Sequence, residues 1–265
     1  MLSKNLNIAL IELPIEDGNK EANIKCLRNN FAKIPESTDL VVVPELFSTG
    51  FIGSSHSDAL ALAEKNTGDT IRLLQKLALE YNCAICGSFM ARTADRIYNR
   101  GFFIEPSGED TYYDKYHLFS LGSEDMIFSK GISAPKVIRY RGWNIMMVIC
   151  YDLRFPVWCR NANNKYDLLI AVANWPKSRI HSWDNILTTR AIENQCYVCG
   201  VNRIGSDSSG IEYNGESKII DFRGKMISTC SDNSSVAAAS LNLSALNGYR
   251  ESFPVWRDAD DFDLK

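Results

Sequence analysis

Residues 41–51 read VVVPELFSTGF. The three valines predict a buried strand, and Pro44 ends its regular pairing because proline cannot donate to a strand ladder. Glu45 follows at once, so a carboxylate stands where the strand leaves the core. Two interpretations are open. Either the strand end turns outward into water, or the rigid strand holds Glu45 at the mouth of a pocket as a general base.

Outward from this stretch, strands and helices alternate early in the chain, and hairpins enter in the middle and near the end. Strands are predicted at 7–13, 39–45, 83–91, 98–106, 111–113, 136–152 (a hairpin turning near Arg141-Gly142), 167–175, 196–203, 217–228 (a second hairpin) and 236–243, and helices at 19–34, 67–82 and 182–195. This order predicts an α/β (α+β) fold, with a mixed sheet or two sheets faced by helices.

The composition bounds the class of protein. The 265 residues are 45% hydrophobic, enough to bury one large core, so a single domain over 1–265 is expected. The net charge of -3, without a strongly basic stretch, argues against nucleic acid as a partner. No apolar run reaches the roughly 18–20 residues of a spanning helix, so no membrane partner is expected. The N-terminal segment predicts a first strand rather than a signal peptide, which favours a cytoplasmic location.

The eight cysteines include two C-x-x-C pairs, Cys83 with Cys86 and Cys196 with Cys199. Both pairs lie in predicted strands, where residues three apart point to opposite faces and cannot easily share a metal. The chain has only three histidines, which further disfavours a zinc site built from His and Cys. We therefore expect the cysteines to be small buried thiols in a reducing cytosol. No metal or other cofactor is predicted.

Two further reactive residues stand at predicted strand ends. Lys115 follows the strand-like TYY of 111–113, although most lysines in such positions are exposed loop residues. Cys150 ends the run NIMMVIC, and YDLRFP then predicts a turn into a short helix. A cysteine in a strand is usually just buried. On a strand-to-helix turn, however, it is exposed at the sheet edge near backbone N–H groups that favour a thiolate and can stabilise an oxyanion.

Glu45, Lys115 and Cys150 fit one chemistry. A thiol with an ordinary pKa of about 8.5 is mostly protonated at neutral pH, so a carboxylate that takes its proton makes it a nucleophile toward a carbonyl. The same acid can protonate a leaving amine and later activate water. A lysine ammonium, with the backbone N–H after the cysteine, can stabilise the oxyanion without a metal.

The segments VVVPELFSTGF, YDKYHLF and VICYDLRFP resemble, in the same order, the Glu, Lys and Cys signatures of the nitrilase superfamily of carbon–nitrogen hydrolases. ANWP and TTRAIENQCYV match two further family segments, so the resemblance covers nearly the whole chain. It implies Glu45 as general base, Lys115 as oxyanion stabiliser and Cys150 as nucleophile. It also implies a four-layer α-β-β-α sandwich of two mixed sheets, paired into a homodimer or larger homo-oligomer. Glu124 is the candidate for a second active-site glutamate; the alternative is a solvated loop carboxylate.

Tyr151-Asp152 after the cysteine, instead of Trp-Glu, is similar to the amidase-like branches, and CYDLRFP with NWPKSRIHSW most resembles bacterial omega-amidases. This implies hydrolysis of the terminal amide of 2-oxoglutaramate and 2-oxosuccinamate to a 2-oxo dicarboxylate and ammonia through a cysteine thioester. The alternatives are an amidase for N-carbamoyl compounds, short aliphatic amides or deaminated glutathione, and a non-catalytic binding module on the same fold.

Such a substrate carries a carboxylate far from its amide, so the pocket needs a cation. Arg154 and Arg179 are the candidates, against the alternative of structural ion pairs. The other predicted substrate-binding residues are Tyr151, Asn174, Trp175 and Phe119. A Cys-His dyad with His117 or His181 is a weaker alternative, because no matching motif surrounds either histidine. The C-terminal tail, about 250–265, is expected to pack on the domain or on a partner subunit.

Overall fold

A computed structural model of the protein describes residues 5–52, 56–94, 96–231 and 234–260. In chain order, the strands of these ranges are β1 (Asn5–Ile11), β2 (Leu40–Val42), β3 (Ala84–Thr93), β4 (Arg96–Ile104), β5 (Asp110–Asp114), β6 (Ile138–Tyr140), β7 (Trp143–Ile149), β8 (Leu168–Ala173), β9 (Tyr197–Asn202), β10 (Ile204–Ser206), β11 (Glu212–Asn214), β12 (Lys218–Ile220), β13 (Met226–Thr229) and β14 (Val236–Asn242). The α-helices are α1 (Lys20–Phe31), α2 (His56–Leu62), α3 (Asp69–Tyr81), α4 (Ile180–Asn194) and α5 (Leu243–Ser252).

The strands form two mixed six-stranded sheets. The first has the order β14-β1-β2-β3-β4-β5, with β1, β2 and β3 parallel and the other neighbours antiparallel. The second has the order β13-β12-β9-β8-β7-β6, with β7, β8 and β9 parallel. A short hairpin, β10–β11, stands apart from both sheets. The mixed architecture predicted from the order of elements is therefore confirmed.

The valine run is buried on both of its faces. Leu40 and Val42 belong to the core between the two sheets, whereas Val41 and Val43 belong to the core between the first sheet and helices α1 and α3. Because successive side chains of a strand point to opposite faces, only an uninterrupted apolar run satisfies both layers. Helix α4 covers the second sheet at Gly200, where a Cβ atom would lie 2.5 Å from Leu187. The layers are thus helix, sheet, sheet and helix, as the family resemblance implied.

Local turn chemistry agrees with the predicted hairpin between β6 and β7. Arg141 and Gly142 have φ angles of +47° and +84°, the left-handed pair that a two-residue hairpin turn requires. After β14 the chain forms helix α5, which the sequence analysis did not predict. Arg250 of this helix pairs with Asp167 at 2.7 Å, which packs the start of the tail on its own domain. Residues 261–265, the end of the predicted tail, lie outside the described ranges.

Across the described ranges, the helices are all too short or too polar to cross a membrane. In the same ranges, His, Cys, Asp and Glu side chains do not gather in groups of three or more that would suit a metal ion.

Candidate active site

The three reactive residues of the sequence meet in one pocket of about 210 Å³. Glu45 follows β2, Lys115 follows β5 directly, and Cys150 follows β7 directly. The first two belong to one sheet and the third to the other, so the pocket lies where the two sheets face each other. The remaining lining residues are Leu46, Phe51, Phe119, Gly122, Glu124, Tyr151, Arg154, Asn174, Trp175, Pro176, Arg179, Asp207, Ser209, Ile211 and Tyr213.

At the base of the pocket, one ammonium group lies between two carboxylates. Lys115 Nζ is 2.9 Å from Glu45 Oε1 and 2.9 Å from each carboxylate oxygen of Glu124. All three side chains are at least 94% buried. Glu124 also accepts a 2.7 Å hydrogen bond from the backbone N–H of Phe119. We refer to Glu45, Lys115 and Glu124 as the carboxylate–lysine cluster.

The cluster and the thiol perturb each other's protonation. Burial alone would lower the pKa of Lys115, but Glu124 and Glu45 raise it well above its ordinary value, so the ammonium keeps its charge. Burial raises the pKa of Glu124, Lys115 opposes that shift, and Glu45 adds to it. Burial and the charge of Glu45 raise the pKa of the Cys150 thiol well above its ordinary value, against the opposing charge of Lys115. The raised pKa favours the neutral thiol of Cys150 over the thiolate.

Cys150 stands on a strained turn, with φ at +45°. A non-glycine residue in this region costs roughly 1–3 kcal/mol, which the surrounding structure must supply. Asp152, fully buried, supplies part of it by accepting hydrogen bonds from the Ile149 N–H at 3.2 Å, the Tyr113 hydroxyl at 2.8 Å and the His117 N–H at 2.9 Å. Because Tyr113 and His117 flank Lys115, Asp152 joins the turn that carries Cys150 to the segment that carries Lys115.

A family model described as carbon-nitrogen hydrolase matches residues 7–251. The chain belongs to this family. It is 39% identical to the omega-amidase YafV of Escherichia coli K12 over 260 residues, 98% of each chain. It is 32% identical to a 2-oxoglutaramate amidase of Bacillus subtilis over 254 residues, 95% of this chain and 96% of the other.

A solved structure gives the same result for the fold. XC1258 of Xanthomonas campestris, a CN-hydrolase superfamily protein with an arsenic adduct in its active site, superposes with a TM-score of 0.93. The identity is 34%, and the match covers 98% of this chain and 99% of that one. The protein is thus a hydrolase that acts on carbon–nitrogen bonds.

In this carbon–nitrogen hydrolase, strand β8 delivers a backbone donor to Glu45. The N–H of Asn174, directly after β8, donates to Glu45 Oε2 at 2.7 Å, and the same backbone group acts to lower the pKa of the neighbouring Cys150 thiol. The side-chain oxygen and nitrogen of Asn174 are buried in the pocket wall and have no partner among the described residues. Asn202 fixes this strand end, because its amide accepts from the N–H of Trp175 at 2.7 Å and donates to its carbonyl at 2.9 Å.

Both predicted arginines line the pocket, and each is stacked on an aromatic ring. The Arg154 guanidinium lies 4.5 Å from the ring centroid of Trp175, and that of Arg179 lies 5.2 Å from the ring centroid of Phe119. Arg154 donates to Ser182 Oγ at 3.0 Å. Within the described ranges neither arginine has a carboxylate within 4.0 Å, so the alternative of structural ion pairs finds no support there.

The structure brings all ten predicted site residues to the pocket but places the two histidines elsewhere. His117 turns its Nδ1 to Asp152 at 2.8 Å, and His181 contacts Asn185 on α4. Neither histidine is among the residues that line the pocket, so the Cys-His alternative finds no support in its geometry. Glu124 is 5% exposed, which also contradicts the alternative of a solvated loop carboxylate.

Two features of the site were missed by the sequence analysis. Asn99 contacts both carboxylates of the cluster, and the hairpin β10–β11 with its loop covers the pocket through Asp207 and Tyr213. A signal for Asn99 was available in the sequence. Asn99 lies between Ile97 and Gly101 on the same face of a hydrophobic strand, so a polar side chain is placed on the inward face. The hairpin offered no such signal, since its short strands are mostly exposed.

Proposed function

We propose that the protein is an omega-amidase that converts 2-oxoglutaramate and 2-oxosuccinamate to a 2-oxo dicarboxylate and ammonia. The omega-amidase and 2-oxoglutaramate amidase relatives support this assignment. The observation that carries it is that the pocket with Cys150 and the carboxylate–lysine cluster also presents Arg154 and Arg179. A buried base and nucleophile serve any amide, whereas two guanidinium groups at the same pocket select an amide that also bears a carboxylate.

In the proposed reaction, Glu45 removes the proton of Cys150 as the sulfur attacks the amide carbon. Lys115 and the backbone N–H of Tyr151 stabilise the resulting oxyanion. Glu45 then gives the proton to the leaving nitrogen, so that ammonia departs and a thioester remains on Cys150. Glu45 then takes a proton from a water molecule as that water attacks the thioester, and it returns the proton to the departing sulfur of Cys150, which releases the 2-oxo dicarboxylate and restores the thiol. The raised pKa of the thiol supports proton removal during attack rather than a preformed thiolate.

Glu124 and Asn174 have supporting roles in this scheme. Glu124 holds the Lys115 ammonium with both of its oxygens and so fixes the position of the oxyanion donor. The amide of Asn174, which has no partner in the part of the chain that the structure describes, offers a donor and an acceptor to the polar end of the substrate. Trp175 and Phe119 lie against the two guanidinium groups and restrict their orientation, while Tyr151 borders Phe119 with its ring centroid 5.1 Å away.

The proposal extends to location and assembly. Eight free cysteines suit a reducing cytoplasm, where thiols persist. Ile192 on α4 and Phe253 after α5 are each 53% exposed, and large exposed apolar side chains of this kind suit a subunit interface. We therefore expect a cytoplasmic homodimer or larger homo-oligomer.

The test is ammonia release from 2-oxoglutaramate, 2-oxosuccinamate, an N-carbamoyl amino acid and a short aliphatic amide. We expect the two 2-oxo acid amides to have the highest kcat/KM. Turnover of the N-carbamoyl compound alone would replace the omega-amidase assignment with a different amidase, and no turnover of any of the four would favour a binding module. Mass spectrometry of the trapped enzyme should place the acyl group on the peptide of Cys150. An acyl group on Cys159 or Cys196 instead would overturn the mechanism.

A further inference from the structure

Strand β4 places one buried amide between the two carboxylates of the cluster. Asn99 is 1% exposed, and its Nδ2 lies 2.7 Å from Glu45 Oε1 and 3.3 Å from Glu124 Oε1. An amide nitrogen carries two hydrogens, so one can be given to each carboxylate. Asn99 and Lys115 thus bridge the same two acids from different directions, and the repulsion between those acids is reduced by both.

The orientation of this amide is fixed by a chain of hydrogen bonds. The backbone N–H of Leu46 donates to Ser88 Oγ at 2.8 Å, and Ser88 Oγ donates to Asn99 Oδ1 at 2.9 Å. Because the serine oxygen already accepts from a backbone N–H, its own hydrogen goes to Asn99. The amide oxygen is thereby committed to Ser88, and the nitrogen must face the carboxylates.

The chain closes on the residue next to Glu45. Leu46 has a φ of +47°, so the turn that carries the carboxylate out of β2 is itself strained. Ser88 holds the backbone of that turn, and through Asn99 it also holds the Glu45 side chain. Two independent degrees of freedom of the glutamate, its backbone and its side-chain rotation, are therefore fixed by one pair of residues on β3 and β4.

The two oxygens of Glu45 consequently have different tasks. Oε1 accepts from both Lys115 and Asn99. Oε2 accepts from the N–H of Asn174, which directly follows β8, the strand paired with β7 that ends just before Cys150. With Oε1 occupied by two donors, the oxygen left to exchange a proton with Cys150 is Oε2.

We propose that Asn99, oriented by Ser88, is a positioning residue that ties Oε1 of Glu45 and reserves Oε2 for the thiol proton. This inference rests on the role of Glu45 as general base in the proposed function. A residue that acts in this way changes the rate of the chemical step and its pH dependence. A buried asparagine with only a structural task changes stability alone.

The test compares Asn99→Leu, which keeps the approximate size and removes both donors, with Asn161→Leu. Asn161 is a matched control, because it is 4% exposed and its amide donates to the backbone carbonyls of Tyr166 and Asn194, and none of these three residues is in the pocket lining. We expect Asn99→Leu to lower kcat about 10- to 100-fold with a much smaller change in KM, as expected of a misplaced catalytic group. Asn161→Leu should lower Tm and leave kcat and the pH profile unchanged.

The pH profile gives the second measurement. Lys115 and Cys150 are the other titratable groups that face the two carboxylates. Loss of a donor shared by two acids disfavours the doubly ionised pair, so the acidic limb of kcat/KM should move to higher pH in Asn99→Leu. Ser88→Ala, which removes only the group that orients the amide, should shift the limb in the same direction by a smaller amount. It is the fallback if Asn99→Leu does not fold.

Alkylation by iodoacetamide, followed by mass spectrometry of the Cys150 peptide, separates this inference from the choice of substrate. In the wild-type protein and in Asn99→Leu the rate is measured across the same pH range, with Cys150→Ala as the blank for the other thiols. We expect slower Cys150 alkylation and a profile moved to higher pH in Asn99→Leu, even if 2-oxoglutaramate proves to be the wrong substrate. A folded Asn99→Leu protein with wild-type alkylation rate, kcat and pH profile would overturn the inference.

Discussion

Replacing Lys115 by methionine tests whether the cluster is held together by charge balance. Lys115→Met keeps most of the side-chain volume but removes the cation that contacts both carboxylates at 2.9 Å. Glu45 and Glu124 are then left as two buried acids beside each other. Because their side chains are 5% and 6% exposed, water cannot replace the lost ammonium.

Removing one partner of a buried ion pair typically costs about 3–5 kcal/mol of unfolding free energy, since the remaining charge stays uncompensated. For a domain of this size that corresponds to a fall in Tm of roughly 6–20 °C. Lys218→Met is the control, because it removes an ion pair whose acidic side chains, Asp184 at 2.5 Å and Glu216 at 3.6 Å, are 41% and 46% exposed. Loss of that pair should cost less than about 1 kcal/mol.

A compensating variant sharpens the test. In Lys115→Met with Glu124→Gln, one of the two acids becomes neutral, so the double variant should be more stable than Lys115→Met alone. Coupling between neighbours in one charge network is commonly about 0.5–3 kcal/mol, and we expect a recovery in the upper half of that range. Activity should not recover, because the proposed oxyanion donor is still missing.

The loss of stability in Lys115→Met should depend on pH, and the sign of that dependence follows from the pKa of Glu124. Burial and Glu45 already hold the pKa of Glu124 above its ordinary value, and Lys115 opposes them. Without the lysine the pKa of Glu124 in the folded state lies further above its value in the unfolded state. The loss of unfolding free energy therefore grows as pH rises from the unfolded-state pKa to the folded-state pKa, and it is relieved as pH falls. The Tm deficit of Lys115→Met relative to wild type should therefore be larger near about pH 8 than near about pH 5. Differential scanning fluorimetry at fixed protein concentration measures the Tm of each variant at both pH values. Equal deficits at the two pH values, or a double variant less stable than the single one, would refute the charge-balance argument.

Three further substitutions address the nucleophile, the carboxylate clamp and the strained turn. Cys150→Ala should remain folded by circular dichroism and lose essentially all amide hydrolysis; retained activity would remove the residue from the mechanism. Arg154→Met should raise KM for 2-oxoglutaramate by at least about 10-fold, the loss expected for one charge-assisted contact, and leave a neutral aliphatic amide unaffected. If Arg179→Met alone has this effect, the clamp is assigned to Arg179. Asp152→Asn should lower stability by about 1–3 kcal/mol in thermal unfolding and reduce kcat, because one of its oxygens becomes a donor facing donors; an unchanged kcat would dissociate the turn from catalysis.

The reactive residues were predictable because each carries a local signal. Glu45 and Cys150 each interrupt or end a hydrophobic strand, and Lys115 follows a third strand within a motif of its own. The strand assignments came from short-range patterns of the same kind. The parallel pairing of β1, β2 and β3 did not, because it joins segments separated by whole helices, which no local pattern encodes.

The contacts of Asn99 and of the hairpin over the pocket depend on tertiary structure rather than on local sequence patterns. Whether the inward amide of β4 meets a carboxylate, or only a backbone carbonyl, depends on the register between strands and on the spacing of the two sheets. The same holds for α5, which the sequence analysis did not predict, because Arg250 finds its partners Asp167 and the carbonyl of Gln195 only in the folded chain. A local pattern can mark such a residue as inward-facing, as it does for Asn99, but the partner of its side chain is known only from tertiary contacts.

The position of the site between two sheets explains how a carboxylate at the end of a buried strand is tolerated. Glu45 is 4% exposed, yet Asn99 and Lys115 satisfy it from its own sheet and the N–H of Asn174 satisfies it from the opposite one. The contact with Asn174 crosses from one sheet to the other, as does that of Tyr113 with Asp152. The proposed base and the thiol are therefore aligned by the packing of the core rather than by a flexible loop. Since a packed core resists displacement, the valines that bury the strand also set the distance across which the proton must move.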